Sequence, residues 1–358
     1  MALPVIYTLR DCSSLEKTVL PYLPQLYDLP QQLLQSYDNP TELQNIYLAT
    51  NPLITALAFS LFLAPLFLVI SEINKNYSQV DRMWSLLPTI YNAHYCIYAH
   101  LNGLETQRLD NMIAFSTVWS LRLTFNYWRK GGYSIGSEDY RWEVLKQKIN
   151  PALFFVFNVL FISLAQSVLL FLITTPSYVI LLTARLGEKM STADTMFARA
   201  LMVLVIAEWF ADQQQWNYQE AKKQYQKTAK VPHKFDQEDL DRGFVVTGLW
   251  SWSRHPNFAA EQAIWVVLYQ WGCWDSEVMY NWTFLGAMGY LFLFQASTWF
   301  TELITSGKYP EYAEYQKRVG KFLPKITGGS GLPGDFSDQK AKPKVEKAEK
   351  KNSGGVRR

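Results

Sequence analysis

Long uncharged runs alternate with polar stretches along this chain. Pro52–Ile70 carries no charged residue in 19 positions, and about 20 apolar residues at 1.5 Å rise are enough to cross a roughly 30 Å hydrocarbon core. Met83–Leu101, Pro151–Thr175 and Val278–Phe300 are further uncharged runs of 19, 25 and 23 residues. Three more segments have the length but carry charge: Met112–Trp128 with Arg122, Thr195–Trp216 with Arg199, Glu208 and Asp212, and Phe258–Trp274 with Glu261. The pattern predicts an all-α protein, a polytopic membrane helical bundle of about seven transmembrane helices. Ser177–Ala184 stays uncharged beyond Pro176 and reads either as a short half-helix or as a re-entrant piece. The mean hydropathy of −0.08 is low for such a protein because the first 50 residues, the loops and the tail are polar.

Lys and Arg fall unevenly among the loops, and short cytosolic loops are the ones enriched in them. The loops after the first, third and fifth spans hold fourteen, among them Lys75, Arg82, Arg129, Lys146, Lys222 and Arg254. The alternate loops hold three: Arg108, Arg185 and Lys189. An odd number of spans follows, with residues 1–50 as a lumenal segment, 51–330 as a seven-helix membrane domain and 331–358 as a disordered basic cytosolic tail. Residues 1–50 show no apolar stretch behind a basic start, so the first span is expected to direct insertion. Gly334–Arg358 has eight Lys or Arg and four Asp or Glu, a net +4 in a chain whose total is +3. Such a tail cannot bury enough apolar surface to order itself and suits anionic lipid. The rest of the chain, near neutral, offers nothing to nucleic acid. Cys12, Cys96 and Cys273 stand apart without CxxC or Cys/His spacing for zinc, so they read as small apolar fillers and no metal is expected.

Ionisable side chains inside spans are costly and mark a bundle interior or a wet cavity. Asp81 and Arg82 lie at the cytosolic entrance of span two, either as a local pair at a helix start or as part of a site. Arg122, followed by Asn126, Trp128 and Arg129, either snorkels to the surface or faces the bundle. Glu138, Asp139, Tyr140 and Arg141 form a pocket cap or a solvated ion-pair turn. Glu208, Asp212, Gln215 and Gln219 fall at i, i+4, i+7 and i+11, one helical face. Asp212, near the surface, suits ribose hydroxyls, adenine amino groups or an Arg from another helix. The richest run is Gly248 to Glu261, Gly-Leu-Trp-Ser-Trp-Ser-Arg-His-Pro-Asn-Phe-Ala-Ala-Glu. In it Arg254 offers a planar fork for phosphate or carboxylate, His255 a tunable donor and Asn257 an amide. Asn257 and Glu261 share a helix face.

The pattern Trp-Ser-Arg-His-Pro-Asn-Phe-x-x-Glu, with Lys308-Tyr309-Pro310-Glu311-Tyr312-x-x-Tyr315 and Phe322-Leu323-Pro324 about 50 residues later, resembles the C-terminal domain of the steroid 5-alpha-reductase superfamily. It is most similar to the DUF1295-like branch, known only as a domain of unknown function and related to sterol reductases and isoprenylcysteine methyltransferases. The likeness covers roughly Asp81–Pro324. It implies a multi-pass oxidoreductase of the endoplasmic reticulum membrane, its C-terminus cytosolic. Such an enzyme reduces, with NADPH, a carbon–carbon double bond conjugated to a carbonyl in a lipid or sterol-like substrate. By the same resemblance Asp212, Asn257 and Glu261 contact the nucleotide, Arg254 and His255 sit beside them, and Tyr309 and Tyr312 close the cofactor pocket.

The Gln-Glu dipeptide with which steroid reductases hold the substrate ketone has no counterpart here, and Trp119 stands ahead of Arg122 where a partnering Tyr is expected. The carbonyl-polarising acid therefore stays open among Asp81, Tyr91, His94 and Tyr95. Tyr91 and Tyr95 are i, i+4 with His94 adjacent, and aromatic packing is their other use. Two further readings also stay open. One is a membrane S-adenosylmethionine-dependent methyltransferase of the isoprenylcysteine type, because Arg-His-Pro occurs in both groups. The other is a non-catalytic lipid-binding membrane protein.

Overall fold

A computed structural model of the chain describes residues 2–187 and 189–325. The basic tail expected over 331–358 lies outside the described residues. Among the described residues there is no strand; one isolated bridge pairs Ser253 with Gly320. Short helices α1 (Leu15–Thr18), α2 (Gln25–Gln35) and α3 (Pro40–Ala49) precede α4 (Pro52–Asn74). Then come α5 (Gln79–Met83), α6 (Leu87–Leu101), α7 (Gln107–Arg129) and α8 (Tyr140–Lys148). One nearly continuous stretch holds α9 (Pro151–Phe157), a π-helical segment Asn158–Ala165, α10 (Gln166–Leu172) and α11 (Thr175–Ala184). The order ends with α12 (Thr192–Thr228), α13 (Gln237–Arg242), α14 (Pro256–Asp275), α15 (Phe284–Lys308) and α16 (Tyr312–Arg318).

Two helical stretches are long and apolar enough to cross a membrane, Pro52–Asn74 and Pro151–Ala184. Of the seven expected spans these are the two that pass on length and composition. α6 is 15 residues long, and α7, α12 and α14 carry charge in their interiors. The second expected span begins at Leu87 rather than Met83, where Pro88 fits the first turn. The last begins at Phe284 rather than Val278, because Asn281 Oδ1 takes the backbone N–H and hydroxyl of Thr283 and holds that turn outside the helix. Ser177–Ala184 belongs to α11, a ten-residue helix buried at every position.

The chain divides into two compact units, Met1–Gln213 with His255–Thr305, and Gln214–Arg254 with the residues from Ser306 onward. The core of the first unit gathers Tyr91, Tyr95, Phe115, Trp119, Trp265, Trp271 and Tyr290 among aliphatic side chains of α4, α10, α11 and α12. Helices approach closely there: a Cβ on Gly286 of α15 would lie 2.3 Å from the carbonyl oxygen of Leu172 in α10. In the second unit Tyr218, Leu240, Val245 and Trp250 form one cluster, and Phe244, Val246, Tyr312, Tyr315 and Val319 another.

Candidate functional site

In the first unit α7, α12 and α14 converge on one guanidinium. Arg122 Nη1 meets Asp212 Oδ2 at 2.6 Å, and its Nη2 meets Glu208 Oε1 at 3.0 Å and Glu261 Oε2 at 3.2 Å. Arg122 is 4% exposed, which settles its orientation: it faces the bundle and does not snorkel. A buried charge needs this kind of pairing, since desolvating it alone costs several kcal/mol. Asp212 Oδ2 also accepts from Asn126 Nδ2 at 2.5 Å, and its Oδ1 accepts from Asn257 Nδ2 at 3.1 Å. Asn257, half-buried at the start of α14, and Glu261 one turn later therefore face the same cluster, as their spacing requires.

Glu261 is the most heavily bonded member. Its Oε2 accepts from Trp119 Nε1 at 2.9 Å, and its Oε1 accepts from Trp265 Nε1 at 2.9 Å and from Tyr290 Oη at 2.7 Å. Trp84 Nε1 lies 3.4 Å from Tyr290 Oη and extends the chain of donors. Glu208 and Glu261 meet the same guanidinium nitrogen, Arg122 Nη2. Three atoms of the cluster have no partner among the described residues: Arg122 Nε, Glu208 Oε2 and Asn126 Oδ1. At one end of the cluster Arg129 donates to Gln213 Oε1 at 2.9 Å.

The other residues singled out from the sequence have separate surroundings. Tyr91 and Tyr95, 1% and 0% exposed, keep hydroxyls with no partner among the described residues. His94 is fully engaged: Nε2 lies 2.8 Å from the Pro52 carbonyl, which can only accept, so Nδ1 accepts from Tyr47 Oη at 2.9 Å. Through these two bonds His94 braces α3 and α4 against α6. Asp81 Oδ2 accepts from Trp142 Nε1 at 2.8 Å, and burial pushes its carboxyl up from the ordinary range. Asp81 thus belongs to a clasp between residues 76–82 and 137–146. In it Glu138 takes the Tyr77 backbone N–H and Lys146, while Arg141 forks onto Asp139 at 2.8 and 2.9 Å.

His255 Nε2 pairs with Glu302 Oε1 at 2.9 Å, and its ring stacks on Phe258. Arg254, in the second unit, donates from Nη1 to the carbonyls of Gln316 and Val319, and its backbone N–H bonds to Gly320 O at 2.9 Å. Its Nη1 thereby ties Arg254 to the end of α16. Tyr309 Oη accepts from Lys222 Nζ at 2.8 Å; burial raises the phenol, but the ammonium outweighs it and holds Tyr309 below its usual range. Its ring lies over Gly243, where a Cβ would come within 2.3 Å. Tyr312 packs edge-on against Phe244 at 5.0 Å, a core position.

Sequence reasoning passed over Trp265, Tyr290 and Trp84 as donors. Trp84 and Tyr290 stand in or beside apolar runs and are distinguished from packing only by a polar partner on another element, whereas Trp265 follows its acceptor Glu261 by four residues on α14, a spacing the sequence shows.

The class defined by these features is a helical protein with membrane-length apolar stretches and a buried ion cluster on three helices. The chain belongs to the family described as protein of unknown function (DUF1295), whose pattern matches residues 67–319 and so includes Arg122, Glu208, Asp212, Asn257 and Glu261. An uncharacterized protein of Schizosaccharomyces pombe is 38% identical over 328 residues, covering 91% of this chain and 94% of the relative. No solved structure matches the chain.

Proposed function

We propose that this protein is a multi-pass membrane oxidoreductase of the steroid 5-alpha-reductase type, which uses NADPH to reduce a carbon–carbon double bond in a lipid or sterol-like substrate. The observation that carries the reading is the set of unpartnered atoms around Arg122: one N–H donor, Nε, and two acceptors, Glu208 Oε2 and Asn126 Oδ1. A primary carboxamide presents the complement, one carbonyl acceptor and an NH2 with two donor hydrogens. The nicotinamide end of the cofactor carries such a group, and Arg122, Asp212, Asn257 and Glu261 are the residues that would hold it. When bound, NADPH supplies a hydride.

The protein's own residues do the rest. Three carboxylates around one guanidinium give the site an excess of acidic groups, a fixed field that stabilises positive charge where the cofactor ring binds. Arg129 ends α7 seven residues from Arg122, about 10 Å at 1.5 Å rise, with the exposed Lys130 next to it, toward the end where phosphates would arrive from water. Tyr91 and Tyr95 hold hydroxyls in a dry interior, the donors a developing enolate oxygen requires. The seven-span arrangement with cytosolic C-terminus belongs to the same reading and rests on loop charge, and the endoplasmic reticulum location rests on the family resemblance.

The excess of acidic groups at Arg122 also suits a sulfonium, so a methyltransferase using S-adenosylmethionine is the second reading. Thermal unfolding of the detergent-purified protein with NADPH, NADP or S-adenosylmethionine separates the two. Stabilisation by the nicotinamide nucleotides is expected. Stabilisation by S-adenosylmethionine alone ends the reductase reading, and response to neither favours a lipid-binding protein without catalysis.

A further inference from the structure

α6 and α7 meet at the ends joined by the loop 102–106, and there three side chains gather outside the cluster described above. Cys96 and His100 are one turn apart on α6 and share a face. Asp110 comes from the first turn of α7. Its Oδ1 takes hydrogen bonds from Cys96 Sγ at 3.3 Å and His100 Nε2 at 2.9 Å, and the ligand-capable atoms of all three lie within 4.8 Å of one another. Its Oδ2 is held by Thr106 Oγ1 at 2.8 Å.

This spacing fits an ion. A tetrahedral centre with bonds of roughly 2.0–2.3 Å to N, O and S sets its ligand atoms roughly 3.3–3.8 Å apart, so small side-chain adjustments are enough. The donor types narrow the choice. Magnesium and calcium take oxygen sets, whereas one sulfur, one imidazole and one carboxylate select a borderline-soft divalent metal. Charge also balances, because a thiolate and a carboxylate together neutralise a divalent cation while the imidazole stays neutral. Thr106 fixes the carboxylate, as an outer hydrogen bond does in established metal centres. Cys96 is 6% exposed and forms the floor, whereas the side chains of His100 and Asp110 are 57% and 45% exposed, so the fourth position faces water.

We propose that Cys96, His100 and Asp110 bind a divalent cation of the zinc class, with water in the fourth position. The thiol gives its proton to solvent as the metal–sulfur bond forms, and the His100 proton moves from Nε2 to Nδ1, leaving Nε2 to ligate. The site is independent of the cofactor reading, since none of its residues belongs to the Arg122 cluster.

The test is titration of the full-length, detergent-purified protein with cobalt(II). One equivalent should produce a near-ultraviolet thiolate-to-cobalt charge-transfer band with visible bands of a four-coordinate centre, and zinc should remove both. Cys96→Ser should abolish the near-ultraviolet band. His100→Ala changes an exposed side chain, leaves folding intact and should raise the dissociation constant at least tenfold. Absence of the band at stoichiometric cobalt, its survival in Cys96→Ser, or an unchanged dissociation constant in His100→Ala would overturn the proposal.

Discussion

Glu261 collects hydrogen bonds from Trp119, Trp265, Tyr290 and Arg122 within an enclosed site. Removing its carboxylate strands several donors at once, and breaking a buried ionic network on one side costs about 3–5 kcal/mol. Glu261→Ala should therefore lower the thermal midpoint severely. Glu208→Gln should cost clearly less than Glu261→Ala, because Gln keeps an acceptor for Arg122, the group that Glu208 Oε1 meets. Equal losses in the two variants would contradict the assigned network. The sequence made Asp212, Asn257 and Glu261 legible, since polar groups beside apolar runs at one-turn spacing declare a shared face. Arg122 was ambiguous, because its long side chain reaches either lipid headgroups or the bundle and only the carboxylates of α12 and α14 decide between them. Tyr290 was invisible for the same kind of reason: an aromatic ring in an apolar run looks like core until a carboxylate is found beside its hydroxyl.

At the scale of the helix, charge inside an apolar run is what separates clear expectations from obscure ones. α4 was legible because no charge interrupts Pro52–Ile70, whereas α7 and α12 present runs broken by charged residues of the Arg122 cluster. α12 has 37 residues, about 56 Å at 1.5 Å rise, well beyond a roughly 30 Å hydrocarbon core. Helix ends were less legible than helix existence, since turns such as Asn281–Thr283 depend on a side-chain cap. Close packing supplies a second test. A Cβ on Gly286 meets the Leu172 backbone carbonyl, which cannot rotate away, whereas a Cβ on Gly289 meets the tip of the Leu169 side chain at 3.0 Å. Gly286→Ala should cost about 1–3 kcal/mol by overpacking, and Gly289→Ala clearly less. Thermal unfolding in detergent measures both, and a harmless Gly286→Ala would refute the α10–α15 contact.

For the whole molecule, the proposed topology rests on loop charge. An Asn-x-Thr acceptor inserted within residues 229–236 should stay unglycosylated and one near residue 40 should be modified, where spacing from the membrane permits; the opposite result inverts the orientation. The all-helical character was legible in the long apolar runs, while the expected seven spans stand against two helical stretches of membrane length and composition among the described residues. The meeting of α7, α12 and α14 was not, because no pattern within one run names its neighbour. The central claim is that the Arg122 cluster holds the cofactor. It is tested most directly by equilibrium binding of NADPH to the purified protein, followed by energy transfer from its 13 tryptophans. Asn257→Ala loses the hydrogen bond to Asp212 and the amide at the mouth of the cluster, and should weaken binding at least tenfold, about 1.4 kcal/mol. Tyr95→Phe removes a hydroxyl outside the cluster and should bind like the parent. If Asn257→Ala binds NADPH as tightly as the parent protein, the cluster is not the cofactor site and the account fails.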